Sequence, residues 1–431
     1  MGRMRISNIS RLSVVLFFLL GVFSGDRLFA AEDESAPSTT STETTTTEST
    51  SGDDSTKQDF GIGKFAALPF HVSASVRGGY DDNVNTQSFN PQGSTFINLN
   101  VAATYAFGSA RTAVNLQTNG GITQYFDEPG GTQYDFNPNL NFSITYKATP
   151  RLTLALTSYA AYQNQPDFAD SAGLNRRSGA LFYTNNKFSA SYRWRPRFTT
   201  VTSYTLGTIY YEDPAQGDFE NRFENTFGNE FRFLVWPTTT LVAEYRLGVI
   251  SYLTDTLRDS LSNFLLAGLD HSFSPRFNIS TRAGVEIRSY TNLDNRNKID
   301  PYFEGILTYA LGPRSSLSWN SRYSIEEPDI IGSQSRTTFR TGLTGNYKVT
   351  ARITATLAAY YVHDQYDATV SFFFITPAFA EDSLSLSLAL RYAINHTWGA
   401  EVGYDFTDVE SDLPFRAYDR NRFYGGVNFT F

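Results

Sequence analysis

From residue 71 to the C-terminus, apolar and polar residues alternate with the period of a β-strand that has one apolar and one polar face. After Pro150, Leu152, Leu154 and Leu156 interleave with Thr153, Ala155 and Thr157. After Pro237, Leu241, Ala243, Tyr245, Leu247 and Val249 interleave with Val242, Glu244, Arg246 and Gly248. After Pro275, Phe277, Ile279, Ala283, Val285 and Ile287 alternate with polar residues, and Leu384 to Tyr392 repeats the pattern. Short turns rich in Pro, Gly, Ser and Arg recur about every 40 residues. They fall at 108–111, 148–151, 195–197, 236–238, 274–276, 312–314, 349–352 and 395–397. Longer polar segments, such as Asp81-Asp82-Asn83 and Glu326-Glu327-Pro328-Asp329, lie between them. The runs are about 10 to 14 residues long, more than a soluble strand needs and enough for a tilted membrane span.

This pattern predicts an all-β fold, a transmembrane up-and-down antiparallel β-barrel with short periplasmic turns and longer extracellular loops. The turn count gives about 18 strands, or about 16 if one hairpin is miscounted. A soluble solenoid or sandwich would not explain the strand length, the neighbour-to-neighbour pairing or the Trp placement. Trp194 and Trp236 fall at tight turns, and Trp398 and Trp319 lie just beyond others, as an aromatic girdle at one interface would. Tyr80, Tyr125, Phe126, Tyr210, Tyr211, Tyr252 and Tyr290 lie near the opposite strand ends and predict the second girdle.

The chain ends in mid-pattern. Phe423, Val427, Phe429 and Phe431 alternate with Arg422, Asn428 and Thr430. The ending resembles the C-terminal assembly signal of bacterial outer-membrane barrels, with Phe431, Phe429, Gly426 and Tyr424 in its four marked places. The resemblance implies that the barrel-assembly machinery reads this strand. Phe431 is then expected to meet a first strand starting near Val72 and close the barrel.

The N-terminus predicts a signal peptide over residues 1–30: Arg3, Arg5 and Arg11, an apolar run from Leu12 to Phe23, then Ala30 and Ala31. Residues 31–70, rich in Ser, Thr and Glu, predict a disordered periplasmic linker, and 71–431 the outer-membrane barrel. Aromatics make up 15% of the 431 residues, yet no later apolar run reaches the length of a transmembrane helix. The absence of Cys excludes disulfides and thiol chemistry, and the net charge of −8 excludes nucleic acid as a partner.

Charges on the lipid face would cost about 2 to 4 kcal/mol each for Arg or Lys at the midplane, so charges in the strands must point inward. By alternation the pore-lining candidates are Glu230, Arg232, Glu244, Arg246, Arg282, Glu286, Arg288, Arg322, Arg340, Arg391 and Glu401. Asp270, Glu304 and Asp405 fall on the same face. Opposed Arg and acidic rows would select solutes by charge, whereas a network of mutual ion pairs would mainly stabilise the wall. No catalytic site is expected. His71, His271, His363 and His396 are dispersed and no GxSxG occurs. No cofactor and no metal site are expected. The acidic loops around 81–83 and 405–412 lack EF-hand spacing and read as solvated.

The segment Val72 to Tyr80 followed by Asp81-Asp82-Asn83-Val84-Asn85, the Pro-Arg and Thr-Arg turns and the terminal aromatic resemble an uncharacterised family of β-barrel porins. The resemblance covers residues 70 to 431 and implies the barrel, while the mixed-charge inward face on long alternating strands predicts a porin-like channel for passive diffusion of small polar solutes. Some members are associated with exopolysaccharide, which implies the alternative of a non-conducting scaffold, an export partner or a surface-contact protein. Outer-membrane lipid and lipopolysaccharide are the expected surroundings, and a homotrimer the assembly expected of porins.

Overall fold

The structure, a computed structural model, describes residues 70–131, 133–166, 179–291, 297–312, 314–330, 333–370 and 375–431. The predicted signal peptide and residues 31–69 of the predicted linker lie outside them. The first half of the wall comprises β1 (Phe70–Asp81), β2 (Ser94–Gly108), β3 (Thr112–Tyr125), a short β4 (Tyr134–Phe136), β5 (Asn139–Lys147), β6 (Leu152–Gln163), β7 (Leu181–Arg195), β8 (Phe198–Tyr211), β9 (Arg222–Trp236) and β10 (Thr239–Tyr252). It continues with β11 (Ser260–Ser274), β12 (Phe277–Tyr290), β13 (Asn297–Gly312), β14 (Ser315–Glu326), β15 (Arg336–Lys348) and β16 (Ile353–Tyr366). A two-residue hairpin, β17 (Thr369–Val370) and β18 (Ile375–Thr376), precedes β19 (Phe379–Ala393), β20 (Trp398–Ser411) and β21 (Tyr418–Thr430).

Each long strand pairs antiparallel with its neighbours in sequence, and β1 pairs with β21. Eighteen strands therefore close one wall, while β4 adds three residues beside the upper part of β3. The order matches the expectation from the turn count. Ser73 stands opposite Thr430, and the Phe431 N–H donates to the Val72 carbonyl at 2.8 Å. The Phe431 ring packs edge-on against Phe429, which packs edge-on against Trp398.

The glycine and tyrosine of the terminal motif have geometric reasons at this seam. A Cβ on Gly426 would lie 2.4 Å from the Val76 carbonyl oxygen across the seam. The Tyr424 ring lies over Gly403 on β20, covering backbone that would otherwise be bare, and the Arg77 guanidinium of β1 lies over the same ring, 5.2 Å from its centroid.

The wall sorts residues by the strand period. Leu265, Val402 and Phe423 are each more than half exposed on the outer face. The inner face near the long loops is a buried layer that includes Leu181, Tyr183, Ile209 and Tyr211 on one side and Val362, Val409 and Tyr418 on another. Trp194, Trp236 and Trp398 are exposed at the tight-turn end. Trp194 and Trp236 belong to β7 and β9 rather than to the turns themselves. Trp319 sits in β14 and donates to the Thr341 hydroxyl at 2.8 Å.

The second girdle needs correction. Tyr80, Phe126 and Tyr210 are exposed outside, but Tyr125, Tyr211, Tyr252 and Tyr290 are buried inside. Adjacent aromatics such as Tyr125 and Phe126, or Tyr210 and Tyr211, must face opposite sides of a strand.

Deleting Phe431 removes the last seam hydrogen bond and the ring against Phe429. The truncated chain should reach the outer membrane at much lower levels of folded, heat-modifiable protein on semi-native gels than wild type. Leu265→Arg should cost about 2 to 4 kcal/mol in urea unfolding from lipid vesicles, because the guanidinium would face hydrocarbon.

Candidate functional site

Side chains converge on the inside of a closed wall and diverge on its outside, so contacts that skip strands identify the inner surface. Arg246 of β10 donates to Glu304 of β13 at 2.7 Å and to the Tyr302 hydroxyl at 3.0 Å. The eleven sequence-predicted inward residues fall into four ion-paired groups. In the first, Arg232 binds Glu230 at 2.9 Å and Asp270 at 2.5 Å, and Arg246 binds Glu244 and Glu304. Arg282 ties this group together through Asp270 at 2.8 Å and Glu244 at 3.4 Å. In the second, Arg288 binds Glu286 at 3.0 Å and Glu327 at 2.6 Å. In the third, Arg322 and Arg340 share Glu326 at 2.5 and 2.7 Å. In the fourth, Arg391 binds Glu401 at 3.0 Å, and Arg77 binds the same carboxylate. Each predicted Arg is therefore compensated locally, and Arg282 and Arg288 are buried.

The outer mouth is built by residues that sequence alone did not single out. After β14, loop residues 327–330 and 333–335 lie inward rather than out: Glu327 is buried, as are Ser333 and Ser335. Tyr252 at the end of β10 donates to Glu327, and Arg288 of β12 pairs with it. Arg258, in the loop after β10, donates to the Pro328 carbonyl at 3.0 Å. Arg416, in the loop after β20, donates to both Asp329 oxygens at 3.0 and 3.1 Å, and the Tyr366 hydroxyl donates to Asp329 at 2.6 Å. The loops that carry Arg258 and Arg416 each stand four strands away around the wall, on either side of this one. Residues 327–329 are thus a strap anchored from both flanks of the mouth. Its anchors are themselves held: Arg258 pairs with Glu220 at 2.8 Å in the helix Pro214–Glu220, and Arg416 with Glu381 at 2.7 Å.

A second tie covers another part of the mouth. Arg420 of β21 chelates Asp81 of β1 and donates to Gln165 beyond β6 at 2.6 Å. Gln165 donates to Asp135, which also accepts from Tyr125. Asp81 is therefore a buried structural carboxylate, not a solvated loop acid. No group of His, Asp and Glu able to hold a metal ion occurs among the described residues.

Burial disfavours the Glu327 carboxylate, but Arg288, Arg222 and Arg258 outweigh burial and hold its carboxyl below the ordinary range. The strap is thus fastened by a carboxylate that stays ionised at neutral pH.

A closed 18-stranded wall with an apolar outer face and a charged, polar inner face defines an outer-membrane β-barrel protein. A protein-family model described as "Putative MetA-pathway of phenol degradation" matches residues 254–423, fewer than half of the chain. No curated protein sequence matches. Among solved structures, the chain is similar to OccAB3 of Acinetobacter baumannii, at 11% identity and a TM-score of 0.41, with 84% of this chain and 99% of that one covered. It is also similar to Pseudomonas aeruginosa OccK2 (OpdF) in complex with glucuronate, at 10% identity and a TM-score of 0.45, covering 85% and 98%. For Pseudomonas aeruginosa OccK8 (OprE) the values are 13% and 0.41, covering 84% and 98%. These are likenesses of barrel to barrel.

Arg288→Gln leaves Glu286 and Glu327 buried without their cation. It should destabilise the folded barrel by about 3 to 5 kcal/mol in urea titrations. A depressed folded value adds stability above the ordinary Glu value of 4.5 and loses it as pH falls through the folded value. The melting temperature should therefore drop as the pH falls below the ordinary Glu value of 4.5, and Glu327→Gln should flatten that drop.

Proposed function

We propose that the protein is a passive outer-membrane channel for small polar solutes, narrowed at its outer mouth by the 327–329 strap. The observation that carries this is the inner surface: polar or charged residues recur on the inward face of every wall strand, at lengths that cross a bilayer. A soluble barrel would bury apolar residues there and keep the polar ones outside. The paired Arg and Glu residues line the lumen as wall reinforcement, and the strap sets the narrowest passage. The terminal strand, with Tyr424, Gly426, Phe429 and Phe431, is what the barrel-assembly machinery engages, and lipopolysaccharide surrounds the outer rim.

One observation favours a second reading. The strap is tied to both flanks of the mouth, as a non-conducting scaffold or an export partner would allow.

Refolded full-length protein in planar bilayers should give stepwise conductance. A heat-modifiable barrel that never conducts would sink the channel reading in favour of the scaffold. Asp329→Ala removes the acceptor shared by Arg416 and Tyr366, so it should free the strap and raise the unitary conductance or its noise.

A further inference from the structure

Charge is unevenly distributed around the inner wall. The strands β2, β3 and β5 to β8 contain no Asp or Glu at any position. Register places amides such as Asn119 of β3 and Asn141 of β5 on their inward face, among Ser and Thr. Three cations share that face: Lys187 midway along β7, with Lys147 and Arg193 nearer the tight turns. All three are exposed although they sit on the face that is buried higher up the same wall. Lys187 stands between Thr157 and Thr205 and has no ion pair among the described residues. Arg193 donates to a turn carbonyl, Pro150, at 2.7 Å, not to a carboxylate.

The opposite wall holds more charge and less free charge. There each predicted Arg lies against a carboxylate, so its field is that of a short dipole and fades within a few ångströms. An uncompensated cation in a narrow aqueous lumen with low-dielectric walls keeps its field and concentrates counter-ions.

We propose that the sector formed by β2, β3 and β5 to β8, six wall strands that carry no acid, is the solute track and that Lys187 sets its selectivity, favouring small organic anions that carry hydroxyl groups. The anionic group would sit at Lys187 and the hydroxyls against the neighbouring amides. This rests on the channel reading. It replaces the inward Arg and acidic rows, to which alternation assigned charge selection, with a residue that alternation alone did not distinguish.

The test uses full-length refolded protein in planar bilayers under a KCl gradient, with gluconate and glucose as probes. Wild type should show a reversal potential on the anion-preferring side. Gluconate should interrupt the current more than glucose does. Lys187→Gln should move the reversal potential towards zero and weaken the gluconate effect, and Lys187→Arg should preserve both. The chain has no Cys, so Lys187→Cys offers one thiol within a channel already shown to be folded. A cationic methanethiosulfonate should restore the anion preference, and an anionic one should invert it. A reversal potential that ignores charge at this position, or equal effects of glucose and gluconate, overturns the inference while leaving the channel reading intact. No conductance from folded wild type overturns both.

Discussion

A strand in hydrocarbon can satisfy its backbone N–H and C=O groups only on neighbouring strands, and a sheet with a free edge cannot satisfy them all. The seam between β1 and β21 is therefore the pairing on which the rest depends. It is short of side-chain bulk where a Cβ would meet the facing backbone, at Gly79 and Gly426, and Tyr424 of its last strand covers Gly403 on the neighbouring β20. With the seam closed, each residue has one of two surroundings, lipid or lumen, and the alternation along every strand follows.

Closure also dictates where charge can go. Arg and Glu residues driven off the lipid face accumulate inside, where two walls of like charge would repel. The solution in β9 to β15 is mutual pairing, with Arg282 bridging carboxylates on β10 and β11 and Glu326 shared by Arg322 and Arg340. Towards the mouth the same pairing becomes cross-lumen. Arg288, Arg258 and Arg416 reach the strap at Glu327, Pro328 and Asp329 from three separate stretches of wall. Exposed ion pairs contribute little, but these are buried and hydrogen-bonded, so removing one partner is costly. The strap is accordingly held by electrostatics rather than by apolar packing.

The wall was legible in the sequence because period two is written locally: Leu152 to Leu156 or Leu384 to Leu390 declare their face without reference to anything distant. The tight turns recur in the same local way, which is why the strand order could be counted. Inward charges on strands were legible for the same reason, but their partners were not, since alternation assigns a face and says nothing about distance around the circumference. The strap was invisible. Arg416 and Asp329 lie 87 residues apart and both sit in loops, where no period operates. The four misplaced tyrosines show the remaining gap. Proximity to a strand end suggested an interface girdle, whereas the parity of Tyr125, Tyr211, Tyr252 and Tyr290 puts them inside, where they help form the buried layer under the loops.

Parity and pairing together invert a natural expectation about ion selectivity. The stretch of wall with the most Arg and Glu is the one least able to act on a passing ion, because each guanidinium already has a carboxylate against it and the group is nearly neutral a short distance away. The six wall strands β2, β3 and β5 to β8 carry few charges and no acid, and Lys187 stands between Thr157 and Thr205. A lone cation among amides and hydroxyls is cheap to keep hydrated in an aqueous lumen, and it gains nothing structurally from its position. That combination, an exposed side chain with no ion pair among the described residues, separates a charge that acts on solutes from one that holds a wall together.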